Sequence, residues 1–496
     1  MVLGTGSGVG KSVIVAAILR SLARQGVECA PFKAQNMALN SYVTHDGREM
    51  GRAQVYQAEA AGILPDCRMN PILLKPNGDS TSQVIILGTP KYTMNAREYY
   101  AYFKAHRAIA QRTFDELARE FDVIIMEGAG SPAEINLQDR DLVNTKMAEY
   151  ANAPCLLVGD IDRGGVFAWL KGTLDLLEPT HQDLIKGIVI NKFRGDLRLL
   201  EPGLRQFEII SKVPIVGVLP WLEGVVVDQE DGMFANLLQS EGNGADLHIG
   251  IVHLKRISNF TDFIPLTIES DCKISLITNP QDLRQTFDCI IIPGSKATIS
   301  DLKDMKKRGL LKALEEKIIN ESTVLLGICG GYQMLGQHIS DPHGIEGATE
   351  TVKGMGLLPI ETTMSHKKYL AQTRTEMKFP GMEEGFMVSG YEIHCGKSRV
   401  VAEVGHYTYT PLSPRDPVIG MTTLEGGVIG TYLHGIFEND HLRRSFLNFL
   451  RKRKGLSPVR SFNSYKAYKE RNLDLLADWL ERGIDTDWLR SILGLE

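Results

Sequence analysis

Two short stretches of the chain carry residue types whose spacing could do chemistry. The first is Gly4-Thr5-Gly6-Ser7-Gly8-Val9-Gly10-Lys11-Ser12. Closely spaced glycines let backbone N–H groups converge on phosphate oxygens, with Gly8 and Gly10 nearest the helix that follows. Lys11 would neutralise the β- and γ-phosphates and the Ser12 hydroxyl would ligate Mg²⁺. Thr5 stands where a strict G-x-x-x-x-G-K-[ST] loop has its first glycine, and Val9 breaks a dinucleotide G-x-G-x-x-G. The second stretch is Gly327-Ile328-Cys329-Gly330-Gly331-Tyr332-Gln333, at the end of the apolar run Thr323–Ile328. Glycines around a cysteine at a strand-to-helix turn permit the strained backbone of a nucleophile elbow, and the helix N-terminus favours a thiolate. A bland alternative is a glycine turn that binds nothing and a buried structural cysteine.

A thiol nucleophile needs a base. His434 in Gly430-Thr431-Tyr432-Leu433-His434-Gly435 closes one short strand, and His394 in Tyr391-Glu392-Ile393-His394 is its rival. Spacing does not choose between them. Glu127, after the apolar run Asp122–Met126, is placed to emerge beside the phosphate loop and hold Mg²⁺ with Ser12. Asp160-Ile161-Asp162 and Asn191-Lys192 follow the next two strands. Open α/β sheets put ligands at such strand ends. Lys33 and Lys75 are further cations for a phosphoryl group, though each could equally be an exposed lysine.

These residues need elements to position them. Up to about residue 220, apolar β-branched runs at Asp122–Met126, Cys155–Val158, Gly187–Ile190 and Ile215–Leu219 alternate with helical stretches such as Ser12–Arg24 and Arg97–Glu120. That alternation predicts βαβ units in a doubly wound, mostly parallel sheet. Ahead of the loop only Met1–Leu3 is available, so the first strand is short and weak, or the natural start lies further upstream. The acidic, glycine-containing stretch Asp228–Asp246 reads as a linker. Alternation resumes at Leu247–His253, Cys289–Ile292 and Thr323–Ile328. The expected domains are 1–235, a P-loop unit; 246–450, a second α/β unit; and 451–496, a helical tail packed on one of them.

Composition excludes several classes. The chain has 496 residues, 43% hydrophobic and 23% charged, which suits a globular protein of two large domains or three smaller ones. Fifty-five basic against 60 acidic residues give a net charge of −5, so no partner nucleic acid is expected. No run reaches the roughly 18 apolar residues of a membrane span, and Met1–Gly4 enters the glycine loop without a leader. A cytoplasmic location follows as an expectation, with self-association left open. Seven scattered cysteines show no CxxC pair and no zinc spacing.

The glycine loop, with Gly-Thr five residues before Gly-Lys-Ser, resembles dethiobiotin-synthetase-like P-loop proteins. The Cys329 elbow with Tyr432-Leu433-His434-Gly435 resembles class I glutamine amidotransferases, and Pro293-Gly294-Ser295-Lys296 with Gly390-Tyr391-Glu392-Ile393-His394 resembles their corrinoid-synthesis subgroup. Pro31-Phe32-Lys33-Ala34-Gln35-Asn36-Met37-Ala38-Leu39-Asn40-Ser41 and Gly51-Arg52-Ala53-Gln54 are similar to the cobyric acid synthase family. The resemblance spans the chain to about residue 450. It implies Cys329 as nucleophile, His434 as base, an oxyanion hole at Gly294 and Gly330, and ATP held by Gly8, Gly10, Lys11, Ser12, Lys33, Lys75 and Asn191. It also implies Mg²⁺ on Ser12 and Glu127, glutamine as nitrogen donor, and amidation of the b, d, e and g carboxylates of adenosylcobyrinic a,c-diamide through acyl phosphates. Cobalt would arrive inside the corrinoid substrate, with none bound by the protein.

Class I amidotransferases usually carry a glutamate two residues after the histidine. Here Ile436 stands there, so the resemblance implies a Cys-His dyad, with Glu438 as the carboxylate left to orient the base. Rival readings are another ATP-dependent amidase of this architecture, such as the a,c-diamide enzyme, and a non-enzymatic P-loop scaffold.

Overall fold

The computed structural model of the chain describes residues 1–77, 81–222, 224, 245–320, 323–401 and 408–495. Most of the expected linker, Asp228–Asp246, lies outside them. The N-terminal half is built on parallel strands in the order Cys29–Phe32, Val123–Met126, Val2–Gly4, Cys155–Asp160, Ile185–Phe193, Ile215–Pro220. Its two pieces join through a single parallel bridge between Val2 and Glu127. The first strand is three residues long yet central, and its apolar residues Val2 and Leu3 are buried from both sides. A short strand suffices there because flanking strands supply the pairing its length lacks.

Helix Lys11–Arg24 follows the glycine loop and buries Ile14, Ile18 and Leu22 against the sheet and its neighbours. The helix expected over Arg97–Glu120 is two, Ala96–Ala101 and Phe103–Leu117. Asn95 and Glu98 close a capping box on the first, and the chain turns at Tyr102 before the second begins. Between the first two strands of the sheet and Val123–Met126 sits an insertion: a four-stranded sheet containing Ile72–Pro76 and Thr81–Ile86, and a hairpin of Ser41–Val43 with Glu49–Gly51.

The C-terminal half has a seven-stranded sheet, in the order Cys272–Ile277, Leu247–Val252, Cys289–Ile292, Val324–Ile328, Val428–Thr431, Gly420–Thr423, Tyr409–Pro411. The first five are mutually parallel and the last two antiparallel. Strands Cys289–Ile292 and Val324–Ile328 are buried throughout, the apolar pattern of a sheet covered on both faces. A second sheet carries a long hairpin, Ile360–Met377 with Phe386–Val400.

Helix Asp440–Arg453 runs through the boundary expected at residue 450. The tail beyond it crosses back to the N-terminal half. Helix Tyr465–Gly483 lies along Lys11–Arg24, with Arg20 bonded to Glu470 and Asp474 and Ser21 to Glu481. Leu473, Leu476, Trp479 and Leu480 join the core under the phosphate loop, and Trp479 Nε1 donates to Pro220 O at 2.9 Å.

Candidate functional site

The chain turns sharply at Cys329, whose φ of 50° and ψ of −103° lie outside the regions an L-residue adopts freely. Close packing imposes this turn. A Cβ on Gly331 would fall 2.0 Å from Ile292 O, and one on Gly330 would fall 2.8 Å from Ser295 N. Only glycines let helix Gly330–Leu335 begin against the neighbouring strand end. Cys329 is buried, and its Sγ lies 3.7 Å from Ile393 O.

His434 meets it from across the sheet. Strand Val428–Thr431 pairs with the elbow strand, and His434 is then fixed by reciprocal backbone bonds with Tyr391, 2.9 and 3.1 Å long, while the two rings stack at 5.3 Å. His434 Nδ1 sits 2.7 Å from Asp262 Oδ2, and Gly435 N donates to Asp262 Oδ1 at 2.9 Å. Both side chains are buried. Burial disfavours a charged imidazole, but the Asp262 carboxylate and the Cys329 sulfur outweigh it and raise His434 to about 10. His434 is therefore protonated at neutral pH, with Asp262 as its counter-ion.

Asp262 replaces the orienter expected at Glu438. Glu438 is one-third exposed and its carboxylate lies 3.7 Å from Arg52. Sequence reasoning missed Asp262 because 172 residues separate it from His434. The available signal was an aspartate set in the apolar run Phe260-Thr261-Asp262-Phe263-Ile264, where an acid must find a buried partner. His394, the rival base, stacks on Tyr432 at 4.0 Å and places Nδ1 2.7 Å from Gly396 O. It lines the Cys329 pocket, and its carboxylate neighbour, Glu392, lies 3.7 Å from Nε2, against 2.7 Å between His434 and Asp262. Gly294 packs against the His434 imidazole, since a Cβ there would fall 3.0 Å from His434 Cε1. Gly330 and Ser295 line the pocket of Cys329.

At the other end, Gly10 takes φ 105° as the residue before helix Lys11–Arg24. Lys11 Nζ bridges Gly6 O at 2.8 Å and Gly130 O at 2.9 Å, holding the loop closed over its helix. Ser12 Oγ donates to Glu127 Oε1 at 2.8 Å. Lys33 Nζ reaches the same oxygen at 2.9 Å, and Gln57 Nε2 donates to Oε2 at 2.6 Å. Burial opposes a charge on Glu127, yet Lys33, Gln57 and Ser12 keep it below the usual carboxylate range. Asn191 Nδ2 donates to Val9 O at 2.8 Å and lies where a Cβ on Gly10 would sit, so in this state it braces the loop.

Lys75 does not join this group. Its Nζ donates to Ser41 Oγ at 2.8 Å and pairs with Glu49 at 3.0 Å, and it lines the pocket that contains Cys329. Strand Ile72–Pro76 belongs to the insertion, which faces the C-terminal half. That placement differs from the expected one beside the phosphate loop. Among the described residues no cluster of three or more His, Cys, Asp or Glu could hold a metal ion, and no helix is long and apolar enough to cross a membrane.

Residues 1–234 match the CobQ/CobB/MinD/ParA nucleotide binding domain family, and residues 248–442 the CobB/CobQ-like glutamine amidotransferase domain family. Curated relatives named cobyric acid synthase include one from a Nostoc species, 47% identical with 98% of each chain covered. Another, from Caldanaerobacter subterraneus, is 43% identical over 99% of this chain and 98% of its own. A third, from Dehalococcoides mccartyi, is 44% identical over the same shares.

Proposed function

The chain belongs to the cobyric acid synthase family, ATP-dependent ligases that amidate with glutamine, and we propose that it converts the b, d, e and g carboxylates of adenosylcobyrinic a,c-diamide into amides. The observation that carries the reading is a buried His434–Asp262 pair beside Cys329 in one half and a Lys11–Ser12–Glu127–Lys33 cluster at the glycine loop in the other. Neither half alone makes an amide from an acid. A carboxylate is a poor electrophile, so a phosphoryl group must first turn it into an acyl phosphate.

In the glutaminase step, Cys329 Sγ attacks the side-chain amide carbon of glutamine. Backbone N–H groups near Gly294 and Gly330 face the developing oxyanion. His434 gives its Nε2 proton to the leaving nitrogen, ammonia departs, and a thioester remains. Water, deprotonated by the now neutral His434, cleaves it to glutamate. Asp262 holds the imidazole so that Nε2 faces sulfur and stabilises the imidazolium.

In the synthetase step, a substrate carboxylate oxygen attacks the γ-phosphorus of ATP and ADP leaves. Ammonia then attacks the acyl carbon and phosphate is expelled. Lys11 and the loop N–H groups meet the phosphates, and Lys192, bonded to Gly8 O at 2.7 Å, and Lys33, bonded to Glu127, are further cations beside the loop. Ser12 and Glu127 present a hydroxyl and a carboxylate oxygen in contact, the hard donors Mg²⁺ takes alongside phosphate oxygens, so these two residues would hold it. When bound, it would offset phosphate charge.

The test is direct. Purified protein with MgATP, glutamine and cobyrinic a,c-diamide should yield four successive acid-to-amide conversions, resolved by the stepwise loss of negative charge on chromatography. Cys329→Ala should do so only with added ammonia. An unaltered substrate with either nitrogen donor rejects the corrinoid reading, and glutamine-driven turnover by Cys329→Ala rejects the nucleophile.

A further inference from the structure

We propose that the glutamine pocket is completed by the nucleotide-binding half: Lys75, with Lys296 and Lys368 of the amidotransferase half, forms the subsite that holds the α-carboxylate of glutamine beside Cys329. The inference rests on the glutaminase reading above and deepens it.

The three ammonium groups line the same pocket as the thiol. Glu49 sits between two of them, with Oε1 3.0 Å from Lys75 Nζ and Oε2 2.6 Å from Lys368 Nζ. Lys296 Nζ reaches the neutral Gln83 Oε1 at 3.4 Å, and among the described residues no carboxylate lies within ion-pair distance of it. Lys75, Lys368 and Glu49 are all almost wholly buried. Burial works against ionisation of Glu49, but the two lysines hold it down to about 2. It therefore stays charged and offsets one lysine, not three.

A second acid, Glu346, lines the pocket, but burial lifts it to about 7 despite the Ile299 N–H at 2.9 Å, so it supplies a fraction of a charge at neutral pH. The pocket is left with excess positive charge away from water, which burial makes costly without a counter-ion. The strain shows in the lysines themselves: burial pulls Lys75 down to about 8 and also lowers Lys296.

An anion relieves this, and the reaction already brings one here. In glutamine two methylenes and the α-carbon separate the amide from the α-carboxylate, so an amide at Cys329 Sγ keeps the carboxylate inside the same pocket. Glu346 is then available to the α-ammonium.

The seam is clasped next to this pocket. Asn259 N donates to Asn40 Oδ1 at 2.7 Å and Ser41 N donates to Asn259 Oδ1 at 3.1 Å. Ser41 also accepts from Lys75. Asn259 leads into the turn that carries Asp262. Glutamine would thus be gripped fully only when the two halves are docked.

The experiment uses the full chain and measures glutamate release from glutamine, and ammonia release from glutamine α-amide, which lacks the carboxylate charge. Lys75→Met should raise KM for glutamine about tenfold or more, the effect of losing one charge-assisted contact. KM for the α-amide should move less than about twofold, and Lys75→Arg should recover part of the loss. Lys368→Met should give the same contrast if Lys75→Met is poorly folded. An unchanged KM for glutamine, or equal losses for both compounds, overturns the proposal. So does a rise in KM for ATP in place of glutamine. None of these readouts needs the corrinoid, so its failure as substrate is seen separately.

Discussion

At the residue scale, the catalytic behaviour follows from which charges are buried together. Asp262→Asn removes the carboxylate that raises His434 and fixes its tautomer. Glutamine-driven turnover should fall at least about a hundredfold, as removal of an orienting carboxylate does elsewhere, while ammonia-driven amidation persists. The pH dependence has a defined sign. His434 is raised to about 10 in the folded chain, above its ordinary value near 6.5. Its pairing therefore stabilises the fold fully below about pH 6.5 and is lost as pH rises through about 10. Thermal midpoints should drop across that alkaline range, and less in Asp262→Asn. At the other site, Lys11→Ala should abolish amidation with ammonia as well as with glutamine, since it acts on ATP. Cys329, Lys11 and Ser12 stood out by neighbours within a few positions, whereas His434 was separated from His394 only by a family resemblance. Asp262 and the true surroundings of Lys75 were not, because their partners lie far away in sequence.

At the element scale, the site depends on how closely one turn can approach a neighbouring strand. Gly331→Ala sets a Cβ 2.0 Å from Ile292 O, a distance only backbone movement can relieve. It should cost roughly 1–3 kcal/mol of stability, as overpacking does, and nearly all glutaminase turnover; urea melts and glutamate release check the two parts. The alternation of apolar runs was enough to place the parallel strands that end at Met126, Asp160 and Ile328. The insertion escaped that reading. Its strands Gln35–Met37, Ser41–Val43 and Glu49–Gly51 are three residues each, too short to show a period. Gln35–Met37 pairs with Ile72–Leu74 and Ser41–Val43 with Glu49–Gly51, and buried amides at Asn36, Gln54 and Asn70 bond between the segments.

At the scale of the whole molecule, the tail ties the two halves together. It leaves the amidotransferase half after Arg453 and packs Trp479 and Leu480 beneath the helix of the phosphate loop. Trp479→Ala should destabilise the protein by about 3–5 kcal/mol, the usual cost of emptying a buried aromatic site. Ending the chain at residue 463 should uncover the same face and lower nucleotide affinity; calorimetry with and without MgATP measures both. Amphipathic periodicity announced tail helices, but it does not specify which surface an apolar stripe covers.

What the sequence by itself determined was local: two strand–turn–helix motifs whose glycines, lysine and cysteine lie within a few residues of one another, and a resemblance carried by contiguous segments. The tertiary structure alone decided that Asp262 pairs with His434, that Lys75 lines the pocket of Cys329, and that the tail returns to the first half. The physical reason is the same in each case. A buried charge or apolar face takes its meaning from whatever is brought against it, and those partners come from chain segments between about 25 and 460 residues away, where no spacing rule reaches.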